Sequence, residues 1–128
     1  SAITPGAVNA EVRLDINGTP LVAIVTNESI QALGLALGVE AFALIKSSFV
    51  ILATDDVGLR TSARNRLCGT IERINEGAVN TEAVLALDGG ARLTAIVTIE
   101  SARTLELTEG GRACALIKAS HVILAVQD

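Results

Sequence analysis

The sequence predicts an all-β protein made of two tandem copies of one small five-stranded barrel, each copy with one short helix. Half of the 128 residues are hydrophobic but only Phe42 and Phe49 are aromatic, so Val, Ile, Leu and Ala must form the core. The motif Gly-Ala-Val-Asn at residues 6–9 recurs at residues 77–80. With one residue inserted near Gly89-Gly90, residues 6–53 align with residues 77–125 at 27 identities in 48 positions. Such an internal repeat indicates a duplicated fold.

Alternating apolar residues predict the first two strands of the second copy. We predict strand one over about residues 62–74, with Leu67 and Ile71 on one face, because residues two apart along a strand share a face. Strand two is predicted over about residues 78–87, with Val79 among its apolar positions.

A hairpin and a short helix follow. Asp88-Gly89-Gly90 is a strong hairpin signal, since Asp-Gly supplies the positive φ angles of a tight turn, and strand three should cover about residues 91–98. Thr98 is placed to cap a helix over about residues 99–106, because its hydroxyl can accept from first-turn N–H groups. Glu100 favours the positive end of that helix.

Strands four and five of the second copy are predicted over about residues 112–119 and 120–126. In the first copy Gly34 supplies a helix stop, whereas Glu106 at the matching position does not. Five strands with a helix between the third and the fourth is the order of an OB-type barrel. The fold expected is therefore two tandem OB-fold barrels.

The domain boundaries follow from the repeat. We predict one domain over residues 1–56 and a second over residues 61–128, joined by a short polar segment. The second copy contains a leading segment at residues 61–71 that has no counterpart before the first copy. We expect the sequence to be incomplete at its start, because a barrel lacking one strand would expose an unpaired edge.

Composition excludes several classes of function. The formal net charge of −4 argues against a broad nucleic-acid or membrane footprint, which needs clustered Lys and Arg. The charged fraction of 19% is low for a soluble domain and suggests that other subunits cover part of the surface. There is no serine-nucleophile elbow, no cysteine–histidine or metal-ligand cluster and no supported carboxylate pair, so no enzyme is indicated.

The cysteines and the hydropathy pattern indicate a cytoplasmic protein. Cys68 and Cys114 lie in apolar surroundings without a CxxC spacing, so we expect buried free thiols. No apolar run approaches the roughly 18 residues of a membrane span, and the N-terminus does not have the features of a signal peptide.

Two lysines interrupt otherwise apolar runs at matching positions. Lys46 and Lys118 each end a predicted strand four and precede a corner that contains serines. An ammonium, hydroxyls and backbone N–H groups are all donors, and donors gathered in one place bind an anion. The alternative remains that both lysines are solvated side chains and that the hydroxyls before each helix are simple caps. His121 replaces Phe49 and is expected to pack or lie at the surface, without a second metal ligand nearby.

Several motifs in fixed order resemble the molbindin, or Mop, domains, a molybdate-binding branch of the TOBE-type OB fold. They are Ser62-Ala63-Arg64-Asn65, the GAVN stretches, AIVTxES at 23–29 and 95–101, and ALIKAS at 115–120. The resemblance covers nearly the whole chain. It implies a tandem di-Mop protein of the intracellular molybdate-storage type, with no cofactor and with molybdate or tungstate as ligand.

The resemblance also implies where the oxyanions bind. It places them at interfaces between Mop domains, where Lys118 is completed by Ser62 and Arg64 of another domain. The residues implied in copy two are Ser62, Ala63, Arg64, Asn65, Thr98, Ser101, Lys118, Ala119 and Ser120. Those implied in copy one are Thr26, Ser29, Lys46, Ser47 and Ser48. A second kind of site is implied at the loops Gly6, Ala7, Val8, Asn9 and Gly77, Ala78, Val79, Asn80.

We therefore expect a non-enzymatic protein that binds molybdate for storage and homeostasis, assembled as a homotrimer with sites at domain interfaces and with no nucleic-acid or membrane partner. The alternative is the ligand-sensing part of a molybdate-responsive transcription regulator, although no DNA-binding pattern precedes the repeats in these residues. The sequence leaves open the preference between molybdate and tungstate.

Overall fold

The computed structural model describes residues 2–55, 58 and 60–127, and they form ten strands and two short helices. In the first copy the strands are β1 (Ala2–Pro5), β2 (Asn9–Ile16), β3 (Thr19–Thr26), β4 (Phe42–Ile45) and β5 (Ile51–Ala53), with α1 at Asn27–Leu33. In the second copy they are β6 (Asn65–Glu76), β7 (Asn80–Leu87), β8 (Arg92–Thr98), β9 (Arg112–Ile117) and β10 (Val122–Ala125), with α2 at Ile99–Thr104. The predicted all-β tandem fold is confirmed.

The two copies exchange their last strands. β10 of the second copy pairs antiparallel with β4 of the first, and β5 of the first copy pairs antiparallel with β9 of the second. The sheets therefore run β1-β2-β3, β10-β4 and β5-β9-β6-β7-β8. β10 also packs beside β3, and β5 beside β8. Each barrel is thus closed by a strand from the other repeat.

The core is aliphatic, as the composition predicts. Leu67, Ile71 and Leu85 of the second copy lie in one cluster with Val12 and Leu21 of the first. Ile71 and Leu85 are fully buried, so the inward face predicted for strand one is confirmed. Val79 is the exception, because it lies before β7 in the Gly77 turn and its side chain is exposed. Its apolar character therefore does not mark a strand position.

The stop of the second helix differs from the prediction. Gly34 ends α1 with φ 67°, and Glu106, at the matching position after α2, also takes a left-handed φ of 54°. Its N–H donates to Arg103 O, and the next N–H donates to Ala102 O, as Gly34 and Leu35 do in the first copy. Glu106 therefore serves as the helix stop despite its side chain, which the prediction excluded, because these hydrogen bonds hold it there.

The second barrel is more complete than the first among the described residues. β9 lies between β5 and the long strand β6, whereas β4 is paired with β10 on one side only. The half of β6 that pairs with β9 begins at Asn65, in the leading segment that copy one does not repeat. This difference leaves one edge of β4 open. No helix in the described part of the chain is long and apolar enough to cross a membrane.

Candidate functional site

The leading segment and the lysine corner of copy two meet at one end of a sheet. The ladder between β6 and β9 ends with the pair Asn65 and Ile117. Because the strands are antiparallel, Arg64 precedes this last pair on one strand and Lys118 follows it on the other. Two of the predicted anion-binding segments therefore emerge side by side within one chain, although the resemblance implies that they come from different domains.

Asn65 fixes the position of this sheet end. It is 2% exposed, and its side-chain Oδ1 accepts from Val22 N–H at 2.7 Å while its Nδ2 donates to Val22 O at 2.8 Å. The same Nδ2 donates to Ile117 O at 3.3 Å. Asn65 is thus a buried hydrogen-bonding link between β3 of copy one and the β6–β9 ladder, and its side chain is used by the fold.

Arg64 is held by a carboxylate. Its two terminal nitrogens donate to the two oxygens of Glu11 on β2, each at 3.0 Å. These hydrogen bonds lower the pKa of Glu11 and raise that of Arg64. Sequence reasoning gave Glu11 no role, yet the repeat signalled it, since the matching position two residues after the GAVN motif carries Glu82 in copy two. The guanidinium is consequently oriented by the first repeat.

Each lysine precedes a single 3₁₀ turn, at Ser47–Phe49 in copy one and at Ala119–His121 in copy two. Phe49 N–H donates to Lys46 O, and His121 N–H donates to Lys118 O, both at 2.9 Å. Both lysines and the serines Ser48 and Ser120 are exposed, whereas Ala119 is buried and Ser47 is half-buried. The turns therefore display an ammonium and a hydroxyl close together in sequence, as predicted.

The two corners touch each other through aromatic rings. The rings of Phe49 and His121 have centroids 4.4 Å apart, and Lys46 Nζ lies 5.1 Å from the Phe49 centroid. His121 thus packs against the other copy, in agreement with its expected packing role. A cation over an aromatic face is a favourable contact, so Phe49 helps to position the Lys46 ammonium.

The hydroxyl pairs cap the helices as predicted. Thr26 Oγ1 accepts from Ser29 N–H at 3.1 Å, and Thr98 Oγ1 accepts from Ser101 N–H at 3.0 Å. In each pair the two side-chain oxygens are 2.8 Å apart. Glu28 and Glu100 lie in the first helical turns and oppose an anion there.

Strand exchange decides which strand of the other repeat each lysine corner packs against. The turn at Ala119–His121 packs against β3, which ends at Thr26, and the turn at Ser47–Phe49 packs against β8, which ends at Thr98. A shallow pocket of about 210 Å³ is lined by Thr26, Ser29 and other residues of copy one together with Val122, Ile123 and Leu124 of copy two. This pocket is therefore lined by both repeats, whereas the pocket beside Thr98 and Ser101 is lined by copy two alone.

The GAVN loops lie apart from the corners in sequence and share one turn geometry. Gly6 N–H donates to Asn9 O, and Gly77 N–H donates to Asn80 O, both at 2.8 Å. A Cβ on Gly6 would lie 2.7 Å from Asn9 O, so this close approach requires glycine. Val8 and Val79 are 69% and 74% exposed at the loop tips, which makes the loops apolar as well as rich in backbone donors.

The cysteines differ from the expected free thiols. Cys68 and Cys114 are disulfide-bonded and stand directly opposite each other on β6 and β9, with Cα atoms 4.0 Å apart. The pairing arises from strand register, which a search for CxxC spacing does not detect. Asp55 lies beside them, and its carboxylate and the two sulfurs are within 4.8 Å of one another.

Comparison with known proteins places the fold in a family. The chain matches the TOBE domain over residues 1–52 and 61–124. It therefore belongs to the TOBE domain family, with two such units in tandem.

Individual relatives agree with this assignment. The crystal structure of the cytoplasmic molybdate-binding protein ModG with molybdate bound is similar over 99% of this chain and 91% of that chain, with a TM-score of 0.95 and 50% identity. The molybdenum-pterin-binding protein MopA of Rhodobacter capsulatus is 50% identical over 97% of this chain, and the molybdenum transport protein ModE of Azotobacter vinelandii is 45% identical over 94%. The chain spans 47% and 45% of those two proteins, about half of each.

Proposed function

We propose that this chain binds molybdate without catalysing a reaction and serves to store the oxyanion in the cytoplasm. The observation that carries the proposal is the similarity to ModG with molybdate bound, which extends over nearly the whole of both chains. The relatives described above are named for binding or transport of molybdenum. Further support is that each repeat presents a lysine directly before the same kind of 3₁₀ turn.

We propose that the hydrogen-bond donors at the two lysine corners bind the oxyanion. Lys118 and Ser120 supply an ammonium and a hydroxyl beside Arg64, and Lys46 and Ser48 supply the same groups in copy one. Hydrogen bonds to a charged group contribute about 1.5–3 kcal/mol each, so a few local donors outweigh the net charge of −4. Thr26, Ser29, Thr98 and Ser101 contribute through the helix caps, and the GAVN loops form a second kind of site.

Binding is tested by isothermal titration with molybdate, with sulfate and phosphate as controls. We expect heat and thermal stabilisation with molybdate and much weaker effects with the two other anions. Titration with tungstate, a tetrahedral anion of nearly the same size, measures whether the site distinguishes the two metals. No heat and no stabilisation with molybdate would overturn the proposal.

We further propose a homotrimer in which oxyanion sites lie at interfaces between barrels. Support comes from large apolar side chains that the single chain leaves exposed, including Leu37 at 71%, Ile51 at 63% and Ile123 at 60%. Exposed apolar surface of this kind marks interaction sites. Multi-angle light scattering should give three chains per particle, and a monomer at micromolar concentration would exclude both the assembly and the shared sites.

The second candidate function is the ligand-sensing part of a molybdate-responsive regulator. It is favoured by the similarity to the transcriptional regulator ModE of Yersinia pestis, which is 34% identical over 91% of this chain and of which this chain spans 44%. The coding sequence upstream of Ser1 separates the two functions. A helix-turn-helix region of about 100 residues would support regulation, and a short strand-forming segment that repeats Ser-Ala-Arg-Asn would support storage.

A further inference from the structure

We propose that Cys68 and Cys114 form a reversible thiol–disulfide site, tuned by Asp55, that a small dithiol or a dithiol protein can reduce in the folded protein. The pair lies on the outer face of the β6–β9 ladder, because Leu67 and Ala115 at the neighbouring positions point into the core. Cys68 is half-buried and Cys114 is fully buried. An external thiolate therefore reaches the sulfur of Cys68, and Cys114 is the leaving group.

The surroundings of Cys114 favour the reduced form. Asp55 Oδ1 lies 3.2 Å from Cys114 Sγ, at the geometry of a hydrogen bond that only a thiol can donate. In the disulfide the sulfur carries no proton, so this carboxylate gains a partner on reduction. Arg66 NH2 lies 3.5 Å from the same sulfur and donates toward it, which stabilises the departing thiolate. Stabilising the reduced form makes a disulfide easier to reduce.

Asp55 is anchored so that it does not move away. Arg112 Nε donates to Asp55 Oδ2 at 3.0 Å, and Arg66 NH2 lies 3.9 Å from Asp55 Oδ1. Asp55 follows the exchanged strand β5, whose residue Ala53 pairs with Cys114. The two guanidinium groups also oppose a metal cation at this cluster, so thiol–disulfide exchange fits the site better than metal binding.

The exchange proceeds in two balanced steps. A thiolate of the dithiol attacks Cys68 Sγ, the bond between the two cysteines breaks, and Cys114 leaves as a thiolate that takes a proton from solvent. The second thiolate of the dithiol then attacks the first sulfur of the same dithiol, which is bonded to Cys68 in the mixed disulfide. This step releases Cys68 as a thiolate, which takes a proton from solvent. The protein gains two electrons and two protons, and the dithiol leaves as its disulfide.

The consequence for the fold is local. The disulfide joins the strand that follows Arg64 to the strand that ends before Lys118, three ladder pairs from Asn65 and Ile117. Reduction removes that covalent link and leaves the Cys114 thiol bound to Asp55, so β9 keeps its ladder with β6 and gains a side-chain hydrogen bond to the segment after β5.

The test equilibrates the folded full chain with dithiothreitol over a range of reduced-to-oxidised ratios and counts alkylated thiols by mass. We expect wild-type protein to interconvert reversibly between no and two alkylated thiols. Asp55→Ala should make the disulfide about tenfold harder to reduce, which corresponds to about 30 mV. Asp55→Asn keeps an acceptor oxygen and should shift the equilibrium less, and it serves if Asp55→Ala fails to fold.

The matched control is Asp88→Ala. Asp88 also binds Arg112, with Nη1 to Oδ1 at 2.7 Å and Nη2 to Oδ2 at 3.0 Å, but Asp88 is not in the cluster of carboxylate and sulfur atoms. This variant should stay within about twofold of wild type. The proposal is overturned if both Asp55 variants leave the equilibrium unchanged, if Asp88→Ala shifts it as much as Asp55→Ala, or if reduction occurs only after the protein is denatured.

Discussion

Asn65 and Val22 join the two repeats by a reciprocal pair of hydrogen bonds. The side-chain amide of Asn65 accepts from the Val22 N–H and donates to the Val22 carbonyl. Two residues that face each other in an antiparallel ladder exchange the same pair of hydrogen bonds. The side chain therefore takes the place of a backbone ladder on the side of β3 that faces away from β2, where no strand of the described residues pairs with it. The Asn65 side chain also donates to the carbonyl oxygen of Ile117, which is the residue before Lys118. The same amide therefore positions the lysine corner.

Asn65→Ala should destabilise the protein by at least about 2 kcal/mol, because it leaves the N–H and C=O of Val22 without a partner in a buried setting and each such group costs about 1–3 kcal/mol. Asn75→Ala on the same strand is the control, since Asn75 makes a long exposed bond of 3.4 Å to Glu82. It should cost less than about 0.5 kcal/mol. Urea unfolding measures both, and equal losses would show that Asn65 is not a special link.

Glu106→Gly should stabilise the protein by about 1 kcal/mol, because a non-glycine residue is strained at a left-handed φ. The reciprocal change Gly34→Ala in copy one should destabilise by a similar amount, since Gly34 holds φ 67°. Thermal unfolding of both variants checks the pair. A loss of stability in Glu106→Gly would mean that its side chain makes contacts worth more than the strain.

Lys118→Ala should weaken molybdate binding by about tenfold or more, since it removes one charge-assisted donor of about 1.5–3 kcal/mol. Lys46→Ala tests the equivalent corner of copy one. Arg73→Ala is the matched control, because it also removes one positive charge but lies outside the candidate sites. Titration calorimetry gives the affinities, and light scattering should show an intact oligomer in each variant. Unchanged affinity in Lys118→Ala would exclude the corner as a site.

Glu11→Gln should lower stability at neutral pH and lose that effect in acid. The pKa of Glu11 is lowered in the folded state from its ordinary value of 4.5, mainly by the hydrogen bonds from Arg64. A lowered carboxyl pKa stabilises the fold above about pH 4.5, and the stabilisation disappears as pH falls through the folded pKa. Both side chains are partly exposed, so the effect is small and depends on salt.

Unfolding of wild-type and Glu11→Gln protein between pH 3 and pH 7 should therefore give curves that converge in acid. Glu82→Gln is the control at the matching position of copy two, where the nearest cation, Arg73, is 3.8 Å away. Its curve should stay closer to wild type. A difference for Glu11→Gln that is independent of pH would indicate packing and not charge.

Local signals in the sequence predicted much of the fold. Thr98 caps its helix because its own hydroxyl oxygen accepts a first-turn N–H. Asp88-Gly89-Gly90 does mark the turn between β7 and β8, although only Gly90, and neither Asp88 nor Gly89, takes the positive φ that was predicted. Buried Leu67 and Ile71 follow from alternation along one strand. Glu106 was missed because the left-handed stop is imposed by backbone hydrogen bonds that a glutamate does not signal, and Val79 was missed because an apolar loop tip resembles a strand position.

The candidate site was predictable only in part, because local patterns reveal its segments but not the contacts between the repeats. The lysine corners and hydroxyls stand out in the sequence because they repeat, as does the leading Ser62–Asn65 segment through its resemblance to Mop domains. The ion pair of Arg64 with Glu11 and the ring contact of Phe49 with His121 join residues more than 50 positions apart. Such contacts depend on how the repeats dock, which no local pattern records.

The sequence by itself determined the duplication, the strands and helices of each copy, the aliphatic core and the paired lysine corners, because each of these depends on residues close together in the chain. The tertiary structure decided which strand closes which barrel. The residues Val-Ile-Leu-Ala stand at 50–53 and again at 122–125. β5 and β10 therefore offer a neighbouring sheet nearly the same side chains, and only the geometry of the whole chain selects the exchanged pairing. The Asn65 link to Val22 and the ring contact of Phe49 with His121 join the two repeats, so both depend on how the repeats dock.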